Sequence, residues 1–327
     1  MKIVTYLENG NQQLGFVVDQ KVFPSHMISN KFPNTALEWI KLGPEGLKLT
    51  KKELDHFIKI DGFQNEGLDF SEITLNAPLP NPTSFRDAYA FRQHVETSRL
   101  NRGLEMIPEF DQFPVFYFSN HQAIQGPGPI YCMPKHFEKM DFELEVAIVI
   151  NKQGRNIKAI DADNYIAGIM ILNDLSARNL QLQEMKLNLG PAKGKDFASM
   201  FGPYLVTMDE LEKYKSKTPI DHIGNAYNLT MKCWINDELV SNGNLDSMHW
   251  TFAEIIERAS YGVNLFPGDI IGSGTVGTGC LLEINGTGKR INPNFQERWI
   301  KPNDVIKMEV TELGTLENKI FLEEITE

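Results

Sequence analysis

Apolar and polar positions alternate through the first 25 residues around the turn-forming run "ENGNQQ", a pattern that predicts a β-hairpin. The spacing then changes. "NTALEWIKLGPEGLKL" and "KKELDHFIKI" place apolar residues three and four apart, which predicts helices. "LNAPLPNPTSF" follows, with Pro78, Pro80 and Pro82. Such a run continues neither a helix nor a central strand, so a division is expected between a small N-terminal α+β domain, residues 1–75, and a larger domain, residues 76–327. Beyond the prolines the chain turns to short β-branched and aromatic segments bounded by Gly, Asn, Asp or Pro. "PVFYFSNHQAI", "ELEVAIVINK", "YIAGIMILND", "GPYLVTM", "NLTMKCWIND", "DIIGSG", "CLLEING" and "VIKMEVTELG" are the expected strands. Helical spacing is clear only in "LSARNLQLQEMK" and "WTFAEIIERAS". The expected class is α+β and β-rich, without internal repeats.

One strand does not fit a plain core. In "MDFELEVAIVI", Leu144, Val146, Ile148 and Ile150 take one face, and Ala147 and Val149 share the other with Glu143 and Glu145. Both faces are apolar past Glu145, as in a strand buried on both sides. Two ionised carboxylates entering such a place repel each other and lose hydration, at a cost of about several kcal/mol per ion. Either one protonates or a cation sits between them, a divalent metal being the simplest cation. The bland alternative is an exposed strand end facing water beside Lys139 or Lys152.

Composition narrows the class. The 327 residues are 42% hydrophobic and 23% charged, ordinary for an enzyme with a sizeable core. Cys132, Cys233 and Cys280 are odd in number and never form a C-x-x-C pair, which argues against a disulfide framework and for a reducing, cytoplasmic setting. "MKIVTYLENG" lacks the apolar region of a signal peptide, and no run is long enough for a membrane span. The net charge of −11, with no Lys/Arg-rich patch, excludes nucleic acid as the expected partner.

Other polar clusters sit at element ends. "YIAGIMILND" closes on Asp174, where a helix is expected to start, so Asp174 reads either as an N-cap or as a metal ligand. Asp174, Arg178 and Gln181 fall at i, i+4 and i+7, one helical stripe. "RDAYAFRQHVE" offers Asp87, Arg92, Gln93, His94 and Glu96 beside the expected domain junction. "GSGTVG" at 272–277 matches G-x-G-x-x-G, but "TGCLLEING" after it alternates and is expected to be a strand. A dinucleotide site needs a helix there, so the run is read as a glycine-rich turn between strands, with Glu283 on the second.

"RDAYAFRQHV", "DFELEVAIVI", "NDLSARNLQLQE", "KGKDF" and "GSGTVGTGCLLEI", in this order over roughly residues 76–311, resemble the fumarylacetoacetate hydrolase family. The resemblance implies a mixed β-sandwich roll, a homodimer, and a Mg²⁺ or Ca²⁺ ion (Mn²⁺ is also admitted) held by Asp87, Glu143, Glu145 and Asp174. It assigns His94 as general base and Glu283 as its orienting partner. Arg178, Gln181 and Lys195 then stabilise an oxyanion, and Tyr117 and Thr275 contact substrate. Oxygen-only ligands agree with a hard ion. The implied activity is hydrolysis of a C–C bond in a small anionic β-diketo or acylpyruvate-type acid, with a metal-stabilised enolate leaving. Decarboxylation, tautomerisation or hydration of a keto acid on the same carboxylates is the alternative, and a keto-acid-binding protein without turnover is a third reading. After Tyr117 the chain reads "FSN" where fumarylacetoacetate-cleaving members carry a His-Gly pair, and "LNRGLEMIPEFDQF" is left unaligned, so substrate identity is left open.

Overall fold

The computed structural model describes residues 1–60 and 67–324. The amino-terminal alternation forms antiparallel strands β1 (Lys2–Glu8) and β2 (Asn11–Val18), which turn through Asn9 and Gly10, both at positive φ, and continue into β3 (Lys21–Pro24). Helices α1 (Ala36–Lys41) and α2 (Gly43–Ile58) follow, as their spacing predicts. Past the proline run come β4 (Ser84–Ala88), α3 (Arg92–Leu100), β5 (Phe116–Phe118) and β6 (Gly128–Cys132). The middle of the chain supplies β7 (Leu144–Ile150), β8 (Ile166–Asp174), α4 (Arg178–Met185) and β9 (Ser199–Thr207). It closes through β10 (Thr230–Ile235), β11 (Glu238–Asn244), α5 (Phe252–Ala259), β12 (Asp269–Gly272), α6 (Leu281–Ile291), β13 (Val305–Val310) and β14 (Gly314–Leu322).

Two mixed sheets carry the fold. The larger runs β3-β2-β1-β9-β8-β7-β12-β4-β5, and the smaller runs β11-β10-β13-β14-β6. Because β1 pairs with β9, with Lys2 opposite Val206, the strands of the first 75 residues extend the large sheet. Val146, Ile148 and Ile150 of β7 and Ile169 and Ile171 of β8 pack with Met231, Ile235, Ile306 and Met308 of the smaller sheet. On the opposite face, Ala147, Val149, Met170 and Leu172 pack with Ile3, Phe16, Trp39 and Leu54 from the amino-terminal strands and helices. β7 is therefore buried on both sides, which is why its alternation is apolar on both. Among the described residues no helix is long and apolar enough to cross a membrane.

Two local expectations need correction. "CLLEING" is not a strand: Leu281–Ile291 is the helix α6. Asn285, Gly286 and Gly288 are weak helix formers and hide the helical period. A distant carboxylate caps the helix instead, since Asp141 accepts the N–H groups of Leu281 at 2.6 Å and Leu282 at 2.9 Å. "GSGTVG" is thus followed by a helix after all, but the amides at its start are engaged by Asp141, and β12 pairs antiparallel with β7. Nor does Asp174 start a helix. It ends β8, Ser176–Ala177 pairs with Met140–Asp141, and only then does α4 begin at Arg178. The expected stripe therefore lacks its first member.

Candidate metal and catalytic site

Strands β8, β7 and β4 deliver acidic side chains to one end of the large sheet, with β12 between β7 and β4. Asp87 lies in β4, Glu145 is the second residue of β7, and Asp174 ends β8. A ligand-competent oxygen from each of these three lies within 4.8 Å of the others, and all three residues are buried. Gly272 of β12 stands opposite Asp87 in register. A Cβ on Gly272 would fall 2.2 Å from Asp87 Oδ1, so this position makes room for the carboxylate. Gly272→Ala should therefore cost about 1–3 kcal/mol of stability and weaken divalent-ion binding, as urea denaturation and calorimetry would record.

The cluster is electrostatically loaded. Burial, then the Asp174 charge, pushes Asp87 up to about 8. Burial and the charge of Asp87 hold Glu145 well above the usual carboxylate range, and burial also raises Asp174. Tyr117 donates its hydroxyl proton to Asp174 Oδ2 at 2.6 Å, and its oxygen lies 3.2 Å from Asp87 Oδ2. Burial and the Asp174 charge keep that phenol well above its ordinary value, so it stays a donor. Thr275 of the glycine-rich turn donates to Glu145 Oε1 at 3.2 Å. Glu145 Oε2 and Asp174 Oδ1 are buried without a hydrogen-bond partner.

Those two orphaned acceptors, the oxygen-only donors and the raised carboxyls are what a site for a hard divalent cation should present. A cation must displace protons to bind here. Its affinity should rise as pH increases toward about 8, where Asp87 ionises. Calorimetry in buffers of different ionisation enthalpy should detect proton release that shrinks over the same interval. The sign for stability is the reverse in ion-free protein. A carboxyl raised from 3.8 to about 8 favours the folded state at low pH, and that contribution is lost as pH climbs through this window.

Glu143 does not join the three. It precedes β7, its N–H donates to Asn173 Oδ1 at 3.1 Å, and its carboxylate turns to two cations. Arg178 Nη2 reaches Glu143 Oε1 at 2.7 Å, and the Lys195 ammonium contacts both Glu143 and Asp174. Burial would raise the Glu143 carboxyl, but Arg178 and Lys195 override it and hold the group below its ordinary range. Burial would likewise lower Lys195, yet Asp174 and Glu143 keep it above its ordinary value. Arg178 also donates to Gln181 Oε1 at 3.0 Å, so the three predicted oxyanion donors are in one connected network beside the carboxylates.

The remaining pair lies on two helices. His94 of α3 sits with Nδ1 2.7 Å from Glu283 Oε2 of α6, both side chains buried. Glu283 Oε1 accepts the Thr278 N–H at 3.0 Å, which fixes the carboxylate. With Glu283 accepting from Nδ1–H, the lone pair of the imidazole is on Nε2. Cys280 lies within 4.8 Å of this pair, and burial raises its thiol well above the ordinary value. Of the other candidates in "RDAYAFRQHVE", Arg92 and Glu96 pair with each other at 3.1 Å on the exposed side of α3, and Arg92 also binds Asp111. Sequence reasoning passed over Asp141, although it is the first acid in the alternation that leads to Glu143 and Glu145.

Residues 83–321 match the model of the fumarylacetoacetate hydrolase C-terminal domain. The chain belongs to the fumarylacetoacetate hydrolase family. It is 26% identical, over 98% of its length and 97% of the relative's, to a fumarylacetoacetate hydrolase domain-containing protein 2 homolog of Dictyostelium discoideum. It is 29% identical to the mitochondrial oxaloacetate tautomerase FAHD2B of Bos taurus, over 96% of this chain and 86% of that protein. Among solved structures, a probable 2-hydroxyhepta-2,4-diene-1,7-dioate isomerase from Mycobacterium abscessus superposes with a TM-score of 0.69 at 26% identity, covering 99% of this chain and 100% of the other. The same fold occurs, at 18% identity, TM-score 0.69 and coverage of 99% and 100%, in a maleylpyruvate hydrolase from Sphingobium sp. SYK-6 solved with manganese(II) and pyruvate. Hydrolases, tautomerases and isomerases thus share this architecture, and the expected mixed α+β, strand-rich fold of the family is the fold of this chain.

Proposed function

We propose that this chain is a divalent-metal-dependent enzyme that hydrolyses a carbon–carbon bond in a small anionic β-diketo or acylpyruvate-type acid. The observation that carries this reading is the buried His94–Glu283 pair, which leaves Nε2 as a proton acceptor, the group that attack by water requires. His94 Nε2 takes a proton from water as the water oxygen bonds to a substrate carbonyl carbon. The carbonyl electron pair moves onto its oxygen, and Lys195, Arg178 and Gln181 are the groups assigned to stabilise that alkoxide. As it collapses, the C–C bond breaks, its electron pair leaves with the enolate fragment, and the proton on His94 is returned to that fragment. Asp87, Glu145 and Asp174, with Glu143 beside them, are the residues that would hold Mg²⁺, Ca²⁺ or Mn²⁺, which supplies Lewis-acid stabilisation of the enolate charge. Tyr117 and Thr275 border the carboxylates and are assigned to substrate contact. In a protein of net charge −11, Lys195 and Arg178 give the local positive field that an anionic substrate needs.

The relatedness to oxaloacetate tautomerases over almost the whole chain favours a second reading. Here a 2-keto acid would undergo keto–enol tautomerisation on the same carboxylates, with His94 carrying a proton between carbon and oxygen and no attack by water. The two separate by mass. Incubated with Mn²⁺ or Mg²⁺, a panel of acylpyruvates and oxaloacetate should yield, for a hydrolase, two smaller acids as the enol absorbance decays. A tautomerase changes the absorbance with no change of mass. Neither change on any member of the panel would overturn both readings.

A further inference from the structure

A buried carboxylate outside the catalytic assignment joins the two halves of the site. Asp141 is fully buried on the short bridge between Met140–Asp141 and Ser176–Ala177. On one side its Oδ2 accepts from Arg178 Nε at 2.8 Å and lies 2.7 Å from Arg178 Nη2. On the other, the same carboxylate accepts the N–H groups of Leu281 and Leu282, the first two residues of α6. Cys280, the N-cap, makes no side-chain cap of its own, so the helix start is held by Asp141 from a different segment. The next residue along is Glu283, which holds His94, while Arg178 Nη2 also donates to Glu143. One side chain thus touches both the guanidinium assigned to the oxyanion and the helical turn that bears the orienting acid.

We propose that Asp141 is a positioning residue that sets the distance between Arg178 and the His94–Glu283 pair. The inference rests on the reading in which His94 handles a proton while Arg178 stabilises the charge that develops. Asp141 itself is surrounded by protein donors and meets no reacting atom. Asparagine preserves its shape but has one acceptor oxygen, and its amide hydrogens would face either the guanidinium or the α6 amides. One of the two anchors must then loosen.

The test compares wild type, Asp141→Asn and Asp141→Glu in the full chain, by steady-state kinetics, by the ring-nitrogen resonances of ¹⁵N-labelled His94 at fixed pH, and by Mn²⁺ calorimetry. Asp141→Asn should lower kcat by about 10- to 100-fold, the scale of a small misplacement of catalytic groups, with KM little changed. It should also move the His94 resonances and leave Mn²⁺ affinity unchanged, because Asp87, Glu145 and Asp174 do not touch it. Asp141→Glu, which restores the charge, should recover part of both effects. An Asp141→Asn protein that melts earlier but keeps wild-type kcat and an unmoved His94 resonance would reduce Asp141 to a structural residue and overturn the proposal. If the asparagine variant does not fold, Asp141→Glu is compared with wild type directly: displaced His94 resonances support the proposal, and wild-type resonances with wild-type kcat overturn it. Should wild type turn over nothing in the panel, the functional reading fails, and the His94 resonance alone then decides the role of Asp141.

Discussion

His94→Ala should lower hydrolysis by about 10²- to 10⁴-fold, the usual contribution of a positioned general base, while divalent-ion affinity stays at its wild-type value. The separation follows from the geometry. His94 contacts Glu283 and stands edge-on to Tyr89, and it is not among the residues whose oxygens converge on the candidate metal site. Cys280, Arg178 and Lys195 cannot substitute for it. Cys280 is close, but burial keeps its thiol protonated far above neutral pH. Arg178 and Lys195 are held in their charged forms by Glu143 with Asp141 and Asp174 respectively, so neither offers a lone pair. Glu283→Gln should do less damage, because the imidazole stays in place but loses the acceptor that selects its tautomer and the charge that steadies the imidazolium. Rates of product formation with saturating Mn²⁺, set beside calorimetric ion affinities for the same samples, test both statements. Hydrolysis at the wild-type rate by the alanine variant would place the base elsewhere. If the variant instead loses hydrolysis but still accelerates tautomerisation, two activities would share the carboxylates while only one uses His94.

What could be read from the chain alone was whatever local periodicity encodes. The two apolar faces of β7 follow directly from the alternation in "ELEVAIVI", and the helices α1 and α2 from their spacing. The paired glutamates signalled a loaded interior, yet their division of labour was not legible. Glu145 turns to Asp87 and Asp174, and Glu143 to Arg178 and Lys195, because β7 begins between them and only Glu145 lies on the regular strand. Lys195 carries no local signal at all, and Asp87 only its place in a polar cluster just past the proline run. The position of Asp87 depends on register with Gly272, far along the chain, and that of Lys195 on a loop in which Glu184 accepts the N–H groups of Ala192 and Gly194, a contact that no periodicity shows. The helix α6 is hidden from periodicity for a related reason. Its glycines and asparagine depress propensity, and the carboxylate that caps its start lies about 140 residues away in sequence. Resemblance to a family supplied residue roles here that no spacing rule could.

Lys195→Met should destabilise the ion-free protein by about 3–5 kcal/mol, the range expected when one partner of a buried ion pair is removed. The ammonium is nearly inaccessible and touches Glu143 and Asp174 together, so no solvent screening dilutes its effect. Without it Glu143 still has Arg178, but Asp174 keeps only the Tyr117 hydroxyl beside two other buried carboxyls. The folded protein would then have to carry an uncompensated charge or take up a proton, and either raises its free energy at neutral pH. A divalent cation offers the same compensation from the other side of Asp174. At one saturating Mn²⁺ concentration the variant should gain more than wild type, because losing the ammonium beside Asp174 raises its affinity, and each tenfold rise adds about 1.4 kcal/mol. Urea denaturation in EDTA and again in Mn²⁺ therefore predicts a large gap between variant and wild type in the first condition and a smaller one in the second. Activity of the variant in Mn²⁺ should stay low, by roughly 10²- to 10³-fold against wild type, since the lost ammonium is also an oxyanion donor in the proposed reaction. Equal stability of variant and wild type in EDTA would mean that protons, rather than Lys195, already neutralise the cluster. The cation would then bind three acids that hold their charges only when it arrives.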